Sequence, residues 1–367
     1  MWVVSAVLGL LVVIGAAVLW PSGDVRSRAG ELGLATERVG AEVTTAGEVE
    51  CSYSTPDALA TCREVRIVPD AGPNAGDEIL LGEFDLRDPS VPDLDVGDDI
   101  VAGYDDTTGT YFFADRERRP ALLWLLALFI AAVLVLARVR GVFALGALAL
   151  TLAVLVGFVV PSVLDGNSPV LVAVVGAGLM AYIALYFTHG LNLMTTAALL
   201  GTLGALVITL LLAVVFFDLA AFSGVATEEA LYLPVVADQI DVRGLILGGV
   251  IIGALGALDD VVITQAATVW ELRALDPQAS TRRVWQAAMR VGQEHTGSII
   301  NTLLLAYAGA SMPILVLFVL SDQSLGSVAN SELVAVEIVR TLVGSIGLLT
   351  AVPVTTALAA YLTDSPE

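Results

Sequence analysis

The sequence of 367 residues has little of what a soluble protein places on its surface. It contains no lysine, and charged residues make up only 15% of the chain. Hydrophobic residues make up 57%, and the mean hydropathy is +0.84. A soluble domain is usually about one quarter charged. The composition therefore excludes a soluble globular chain and predicts a protein that lies largely within a lipid bilayer.

Cysteine and histidine are also scarce. The chain has two cysteines, Cys51 and Cys62, and two histidines, His189 and His295. A structural zinc site needs four nitrogen or sulfur ligands, so none is expected at the cysteines. The pair predicts one disulfide that closes a short loop in an oxidising compartment. Two unpaired thiols are the alternative. The acidic pairs Asp98–Asp99 and Asp105–Asp106 are interpreted as solvated turns, with a divalent cation site as the alternative.

Long apolar runs fill most of the chain. A helix needs about 20 apolar residues to cross a bilayer, and these runs lack the alternation of barrel strands. The predicted fold class is an all-α polytopic membrane bundle with a small extracytoplasmic β-rich domain. Eight transmembrane helices are predicted, at residues 2–20, 121–137, 141–160, 169–187, 194–217, 244–270, 296–320 and 341–362.

These runs divide the chain into four predicted parts. Residues 1–20 are an anchor helix, 21–120 an extracytoplasmic domain, 121–362 a membrane domain of seven helices, and 363–367 a short tail. The first run lacks a charged n-region and a clear cleavage site, which favours an uncleaved anchor. A cleaved signal sequence is the alternative.

Arginine predicts the orientation in the membrane. The link at 137–141 and the link at 271–295 are rich in arginine and are separated by four predicted spans, so they are expected on the same side. Positive residues near span ends favour the cytoplasm. The expected location is the plasma membrane, with residues 21–120 outside and both termini in the cytoplasm.

Residues 21–120 are strongly acidic. They hold 22 acidic and 9 basic residues, a net charge of −13, which argues against nucleic acid and anionic lipid headgroups as partners. Residues 26–43 look helical and are interpreted as a linker. Short strand-like pieces bounded by turn residues predict a barrel or sandwich of about five strands. These pieces are residues 63–69, 77–84, 98–105 and 110–115.

Two adjacent carboxylates interrupt the sixth predicted span. Asp259 and Asp260 lie near the middle of residues 244–270, where a charge costs about 2.5–3.5 kcal/mol. Asp260 shares a helix face with Thr264, which makes a polar stripe, so Asp260 is the preferred functional carboxylate. Asp259 lies about 100° around the helix and is expected either to have a single partner or to be protonated.

The seventh predicted span opens with polar residues. The spacing of Glu294, Ser298 and Asn301 places them on one helix face, and Asn301 is expected to bond to the carboxylate of the sixth span. His295 is a candidate proton relay, with a solvated interfacial histidine as the alternative. The predicted polar site comprises Asp259, Asp260, Thr264, Glu294, Ser298, Asn301 and Thr302.

Three packing features are also expected. Pro313 should kink the seventh span, and Glu337 and Arg340 are spaced to form an ion pair at the outer interface. The glycines of the sixth span should allow another helix to approach closely. They are Gly244, Gly248, Gly249 and Gly253.

Three stretches carry a resemblance to the YibE/F family of bacterial multi-pass membrane proteins. They read "RGLILGGVIIGALGALDDVVITQAATVWEL", "GQEHTGSIINTLLLAYAGASMPIL" and "EIVRTLVGSIGLLTAVPVTTALAA". The aspartate of the family's G-x-x-x-D-V motif falls on Asp260, and its N-T pair falls on Asn301 and Thr302. The family's usual G-R-D reads G-Q-E here, so Glu294 keeps the carboxylate while Gln293 replaces the arginine.

The resemblance covers most of residues 120–362 and implies a transporter without a defined substrate. The leading functional hypothesis is therefore a transporter or an ion- or proton-coupled permease for an unknown small solute or cation. No internal repeat is clear in the sequence, which weakens this hypothesis. The alternative is a receptor or scaffold whose extracytoplasmic domain binds a ligand or partner, although the chain shows no cytoplasmic output domain.

An enzyme is not expected. An intramembrane aspartyl protease needs two facing carboxylates, normally from different helices, that share one proton. No nucleophile, phosphate-binding or cofactor motif is present, so no cofactor is expected. The expected partners are the lipid bilayer and a small solute or cation, and a homo-oligomer is left open.

Overall fold

A computed structural model describes residues 2–23, 37–55, 59–89, 91–236, 239–321 and 323–363. The chain divides into two compact units. Residues 26–132 form the barrel unit, which includes the five strands and the start of the first long helix. Residues 1–25 and 133–367 form the helical unit.

The barrel unit is built on one antiparallel sheet of five strands in the order β3-β2-β1-β4-β5. The first half of β1 pairs with β4 and its second half pairs with β2. The two edge strands, β3 and β5, contact each other, so the sheet curls into a partly closed barrel. The strands are β1 (Glu37–Glu50), β2 (Thr61–Pro69), β3 (Ile79–Asp85), β4 (Asp99–Asp105) and β5 (Thr110–Arg116).

Four of the strands confirm the predicted pieces, whereas β1 was missed. The linker interpretation of residues 26–43 is wrong from Glu37 onward, and residues 26–36 lie outside the described part of the chain. Val39 and Val43 point into the barrel core, while Arg38 and Glu42 are exposed. This alternation is the two-residue period of a strand, and Ala and Gly between the valines weaken the strand signal.

The predicted disulfide is present. Cys51 and Cys62 are bonded and close the hairpin between β1 and β2, where Cys62 lies opposite Val49. Both cysteines are buried in a small cluster with Ala60. A separate core of apolar side chains fills the barrel around Val43, Val65 and Ile67.

The helices account for most of the chain. They are α1 (Trp2–Val18), α2 (Arg119–Leu164), α3 (Pro169–His189), α4 (Leu193–Leu219), α5 (Glu228–Val236), α6 (Val242–Leu275), α7 (Thr281–Ala310), α8 (Met312–Leu320), α9 (Leu325–Asn330) and α10 (Glu332–Leu362). Among the described residues, α2, α3, α4, α6 and α10 are long and apolar enough to span a membrane, and α7 with α8 makes a sixth if this bent pair is one span. Helix α1 is apolar but shorter, so the count of eight spans stays a prediction.

Helix α2 covers two of the predicted spans and is broken between them. Arg138 has a φ of 52°, which is outside the helical range. A β-carbon on Gly141 would lie 2.8 Å from the carbonyl oxygen of Val133. In a straight helix, residues eight apart are separated by about 12 Å along the axis. The chain therefore bends sharply at Arg138, at the predicted link.

The seventh predicted span is divided into α7 and α8. Their axes differ by 63°, and Pro313 lies at the start of α8, where its missing N–H does no harm. The predicted kink is confirmed. Helix α7 begins at Thr281, well before the predicted start at residue 296, because Ser280 caps it by accepting a hydrogen bond from the Arg283 N–H.

The connections between helices gather at two ends of the helical unit. At one end, the ring of Phe143, just after the break in α2, is 5.6 Å from that of Phe187 at the end of α3. The short α3–α4 connection leads from there to Ala197 of α4, which packs with Val269 and Val284 on either side of the α6–α7 link. Both arginine-rich links therefore lie at this end, as predicted. At the other end, Asp165 accepts hydrogen bonds from the N–H groups of residues 22 and 23, and Glu332 accepts one from Gly224. The predicted Glu337–Arg340 ion pair is formed at 2.8 Å.

Helices α4 and α10 pack through identical stripes of small residues. The stripe reads Gly-x-x-x-Ala-x-x-x-Thr-x-x-x-Ala in each, and every member is buried. Gly201 of α4 lies against Thr355 of α10, and Gly347 of α10 lies against Thr209 of α4. The helices are therefore antiparallel and related by a local pseudo-two-fold axis. The members are Gly201, Ala205, Thr209 and Ala213 in α4, and Gly347, Ala351, Thr355 and Ala359 in α10.

We expect Gly347→Ala to lower the free energy of unfolding by about 1–3 kcal/mol, because its β-carbon would overlap the Thr209 hydroxyl. The matched control is Gly344→Ala, since a β-carbon at Gly344 has no atom within 4 Å. The control should gain up to about 1 kcal/mol in helix propensity. Thermal unfolding of the purified chain in detergent measures both, and equal melting temperatures for the two variants would contradict the expectation.

We expect the double variant Cys51→Ala/Cys62→Ala to lose about 2–4 kcal/mol of barrel stability, because the bond closes a loop in the unfolded chain. Hydrogen exchange of the full chain should accelerate in β1 and β2. Exchange in α4 and α10 serves as the internal control and should be unchanged. Unchanged protection of β1 and β2 would refute the expected role.

Candidate functional site in the helical unit

Helix α6 is the central element of the helical unit. It packs against α3, α4, α7 and α10. Asp241 caps its first turn by accepting a hydrogen bond from the Gly244 N–H at 2.9 Å. Gly248 lets α3 approach, since a β-carbon there would lie 3.0 Å from that of Ala173. A polar group on α6 can therefore be reached from several helices.

Asp259 and Asp260 lie midway between two apolar clusters that join α6 to α4 and α10. One cluster contains Val250 of α6, and the other contains Val269. Each cluster is about 14 Å from the aspartates along the helix. The aspartates are therefore level with the centre of the pseudo-two-fold pair formed by α4 and α10.

Asp259 has the more enclosed carboxyl group. Its side chain is partly buried, and its Oδ1 atom is buried without a hydrogen-bond partner in the described part of the chain. The neighbouring positions Leu255, Leu258 and Val262 are buried and apolar. Buried polar atoms without a partner are rare. This carboxyl group therefore calls for a proton, a water molecule, a cation or a ligand.

Asp260 lies on the exposed face of α6. Gly253, Gly256 and Thr264 share that face, and a β-carbon on Gly256 would meet nothing within 4 Å. The polar stripe predicted from the sequence is therefore present, but it lies on the open side of the helix. The sequence favoured Asp260 as the functional carboxylate, but the structure buries Asp259 more deeply. The reason is that the apolar positions of α6 determine which side of the helix faces inward.

The polar residues of α7 lie at the same level on the adjacent helix. Helices α6 and α7 are antiparallel, since Gln265 bonds to the Ala288 carbonyl while Gly253 lies beside the Tyr307 hydroxyl. This alignment sets Ser298 opposite the two aspartates and Asn301 less than a turn away.

The predicted site residues of α7 are on its outward face, whereas Thr296 is buried. Glu294, His295, Ser298, Asn301 and Thr302 are all exposed. In the described part of the chain, the expected hydrogen bond from Asn301 to Asp259 or Asp260 is not formed, whereas the Thr302 hydroxyl donates to the Ser298 carbonyl at 3.0 Å. The predicted site residues thus lie on two helices, and all of them except Asp259 are on the exposed side. Their roles stay predictions.

Gln265 is a buried polar residue that the sequence reading missed. Its side chain is 3% exposed, and its Nε2 atom donates to the Ala288 carbonyl at 2.9 Å and to the Thr356 hydroxyl at 2.7 Å. These bonds join α6 to α7 and α10. The sequence could have indicated this role, since Gln265 is the one glutamine in the apolar run of α6. An amide within a membrane needs a hydrogen-bond partner.

The arrangement is suited to binding a proton or a cation. Asp259 and Asp260 are near the middle of α6, and the open face beside them carries glycine and hydroxyl groups. Over the described ranges, no group of three or more His, Cys, Asp or Glu residues is arranged to hold a metal ion. The carboxylates would therefore act singly or as a pair with solvent and nearby hydroxyl groups.

Comparison with protein families agrees with the resemblance seen in the sequence. The model for "YibE/F-like protein" matches residues 125–365, a range that includes all of helices α3–α10 and the two aspartates. No curated protein and no solved structure matches the chain. The chain belongs to the YibE/F family.

Proposed function

We propose that the helical unit is a transporter that moves a cation or a proton-coupled solute past Asp259 and Asp260. The observation that carries this proposal is the buried Oδ1 atom of Asp259 at mid-height in α6, which has no hydrogen-bond partner among the described residues. An intramembrane carboxyl group is costly and usually marks a substrate or ion pathway. A carboxylate attracts positive charge, which favours a cation or a proton over an anion.

The α4–α10 pair supports the same proposal. Many transporters contain inverted repeats, with the binding site near the membrane midplane where the repeats meet. The identical stripes of α4 and α10 run in opposite directions and meet at Ala205 and Ala351. The aspartates are level with this meeting point, and this local symmetry supports a site at mid-height, although no internal repeat beyond it is clear in the sequence.

The broken span supports a moving part. Helices α7 and α8 meet at an angle of 63°, beside a groove of about 200 Å³ whose lining includes Tyr307, Ser311 and Glu337. Discontinuous helices are common at transporter sites because their ends can reorient around the substrate. We infer that the α7–α8 junction changes angle as access alternates between the two sides.

We also propose the complete membrane topology that the sequence predicts. Eight spans would include α1 and both halves of α2, with residues 21–120 outside the plasma membrane and both termini in the cytoplasm. The break at Arg138, the shared end of the arginine-rich links and the disulfide support this arrangement.

Helix α1 is packed as an integral helix, which supports an uncleaved anchor. The Ser5 hydroxyl hydrogen-bonds with the Tyr186 hydroxyl at 2.9 Å, and the Tyr182 hydroxyl donates to the Ser5 carbonyl at 2.6 Å. Gly9 lies against the Tyr182 ring. Loss of α1 would remove the Ser5 carbonyl that accepts from Tyr182, and it would leave the Tyr186 hydroxyl with Thr196 alone.

A receptor or scaffold is the second candidate function. The observation that favours it is the separate barrel unit, which has its own core and its own disulfide. Such a unit could bind a ligand or partner outside the membrane while the helices only hold it there.

We expect Asp259→Asn and Asp260→Asn each to lower ion flux at least about tenfold, because each removes a carboxylate that would bind the moving cation or proton. The measurement uses liposomes that contain pH- and cation-sensitive dyes under an imposed gradient. Glu271→Gln is the matched control, since it removes an exposed carboxylate at the end of the same helix. Melting temperatures verify that each variant is folded.

Wild-type flux in both aspartate variants would refute the assigned site. Flux absent from the wild-type chain for protons and for common monovalent and divalent cations would favour the receptor or scaffold. Flux lost equally in Glu271→Gln would point to a general effect of charge on the helix rather than to a site at its middle.

A further inference from the structure

The barrel unit contains a cavity of about 690 Å³, widely open to solvent, at the point where β5 leads into α2. Its walls come from β1, the start of β4, the residues that directly follow β2 and β5, and the first turns of α2. Pockets of about 300–1,000 Å³ are typical of small-molecule sites. The cavity lies wholly within the barrel unit and is separate from the aspartates of α6.

Two carboxylates stand on opposite sides of β1 at this cavity. The Asp70 N–H donates to the Gly40 carbonyl, and Asp99 is the partner of Glu42 in the β1–β4 ladder. In the described part of the chain, neither Asp70 nor Asp99 has a side-chain hydrogen bond or ion pair. Gly40 makes room for the Asp70 carboxylate, because a β-carbon at Gly40 would overlap it.

The cation that lines the cavity is already paired. Arg119 binds Glu117 through its guanidinium group, and its backbone N–H donates to the same carboxylate at 2.7 Å. These bonds from Arg119 hold the pKa of Glu117 below its usual value. The pair is neutral as a whole, so Asp70 and Asp99 leave the cavity with an excess of negative charge.

The remaining wall is apolar. Ile100 forms part of the barrel core at 1% exposure, while Leu123 and Trp124 project from the first turns of α2. An indole face attracts a cation that packs against it. Over the described residues, no trio of His, Cys, Asp or Glu is placed to ligate a metal ion. The mixture of carboxylates and apolar wall therefore suits an organic cation better than a metal ion.

We propose that this cavity binds an ammonium group carried on an apolar body. Asp70 and Asp99 bind the ammonium end, and Leu123 and Trp124 contact the apolar part. A soluble amine and the ethanolamine headgroup of a lipid both present this chemistry. The site is separate from the transport site and does not depend on the proposed function.

The test uses the full-length chain in detergent and 2-phenylethylammonium as the probe, with binding measured by titration calorimetry. We expect Asp70→Asn/Asp99→Asn to weaken binding about tenfold, because two exposed ion pairs are lost. Trp124→Leu should weaken it about threefold through loss of the cation–π contact. The neutral analogue 2-phenylethanol should bind at least about tenfold more weakly than the ammonium probe.

The matched control is Asp106→Asn/Asp77→Asn, which removes the same charge from exposed positions that do not line the cavity. Binding unchanged by the control supports the cavity as the site. Equal weakening by the control and by Asp70→Asn/Asp99→Asn would overturn the proposal, because the overall acidity of the unit would then explain binding. Equal affinity for the neutral analogue, or no measurable binding of the ammonium probe, would also overturn it.

A second arm distinguishes the two sources of the ammonium group. Phosphatidylethanolamine is added to the detergent solution as a competitor, with phosphatidylglycerol as the comparison lipid. Competition by phosphatidylethanolamine alone assigns the site to the lipid headgroup, and absence of competition assigns it to a soluble amine. Equal competition by both lipids would overturn the proposal, since phosphatidylglycerol carries no ammonium group.

Discussion

The helical unit depends on the close contact between α4 and α10. Each helix offers a glycine to the threonine of the other, so Gly201 with Thr355 and Gly347 with Thr209 hold the two axes together. In a membrane, small residues matter because helices gain little from burying apolar surface that lipid already covers. Helix α6 then packs on both members of the pair, and Gln265 adds α7 through bonds to two helices.

Most elements of the fold follow from patterns that the sequence displays. Apolar runs predicted α3, α4 and α6 closely, and they predicted the end of α10 but not its start at Glu332. Alternation with turn residues predicted four of the five strands. Strand β1 was missed because Ala41 and Gly40 are weak strand formers, although Val39 and Val43 keep the period of two. The start of α7 was missed because its first turns are polar and are fixed by the Ser280 cap.

The site was less predictable because it depends on which side of a helix faces the bundle. The sequence identified the level of Asp259 and Asp260 correctly, midway along α6. It could not show that the face of α6 with Leu258, Val262 and Val269 is buried in the bundle, which places Asp259 at the edge of that buried face. The reciprocal contact of α4 and α10 was also hidden, since four small residues at a spacing of four resemble ordinary helix composition until both helices are seen together.

The α4–α10 contact has a consequence for how the protein is made. Gly201 and Thr355 are separated by more than 150 positions in the chain, and α10 is synthesised after every other helix described. During synthesis, α4 enters the membrane long before its partner exists. Until α10 emerges, the small-residue stripe of α4 has only temporary neighbours, such as lipid or insertion machinery. The α4–α10 pair that holds the unit together is therefore completed last. A ribosome that stalls before α10 leaves α4 and α6 without the helix on which both pack.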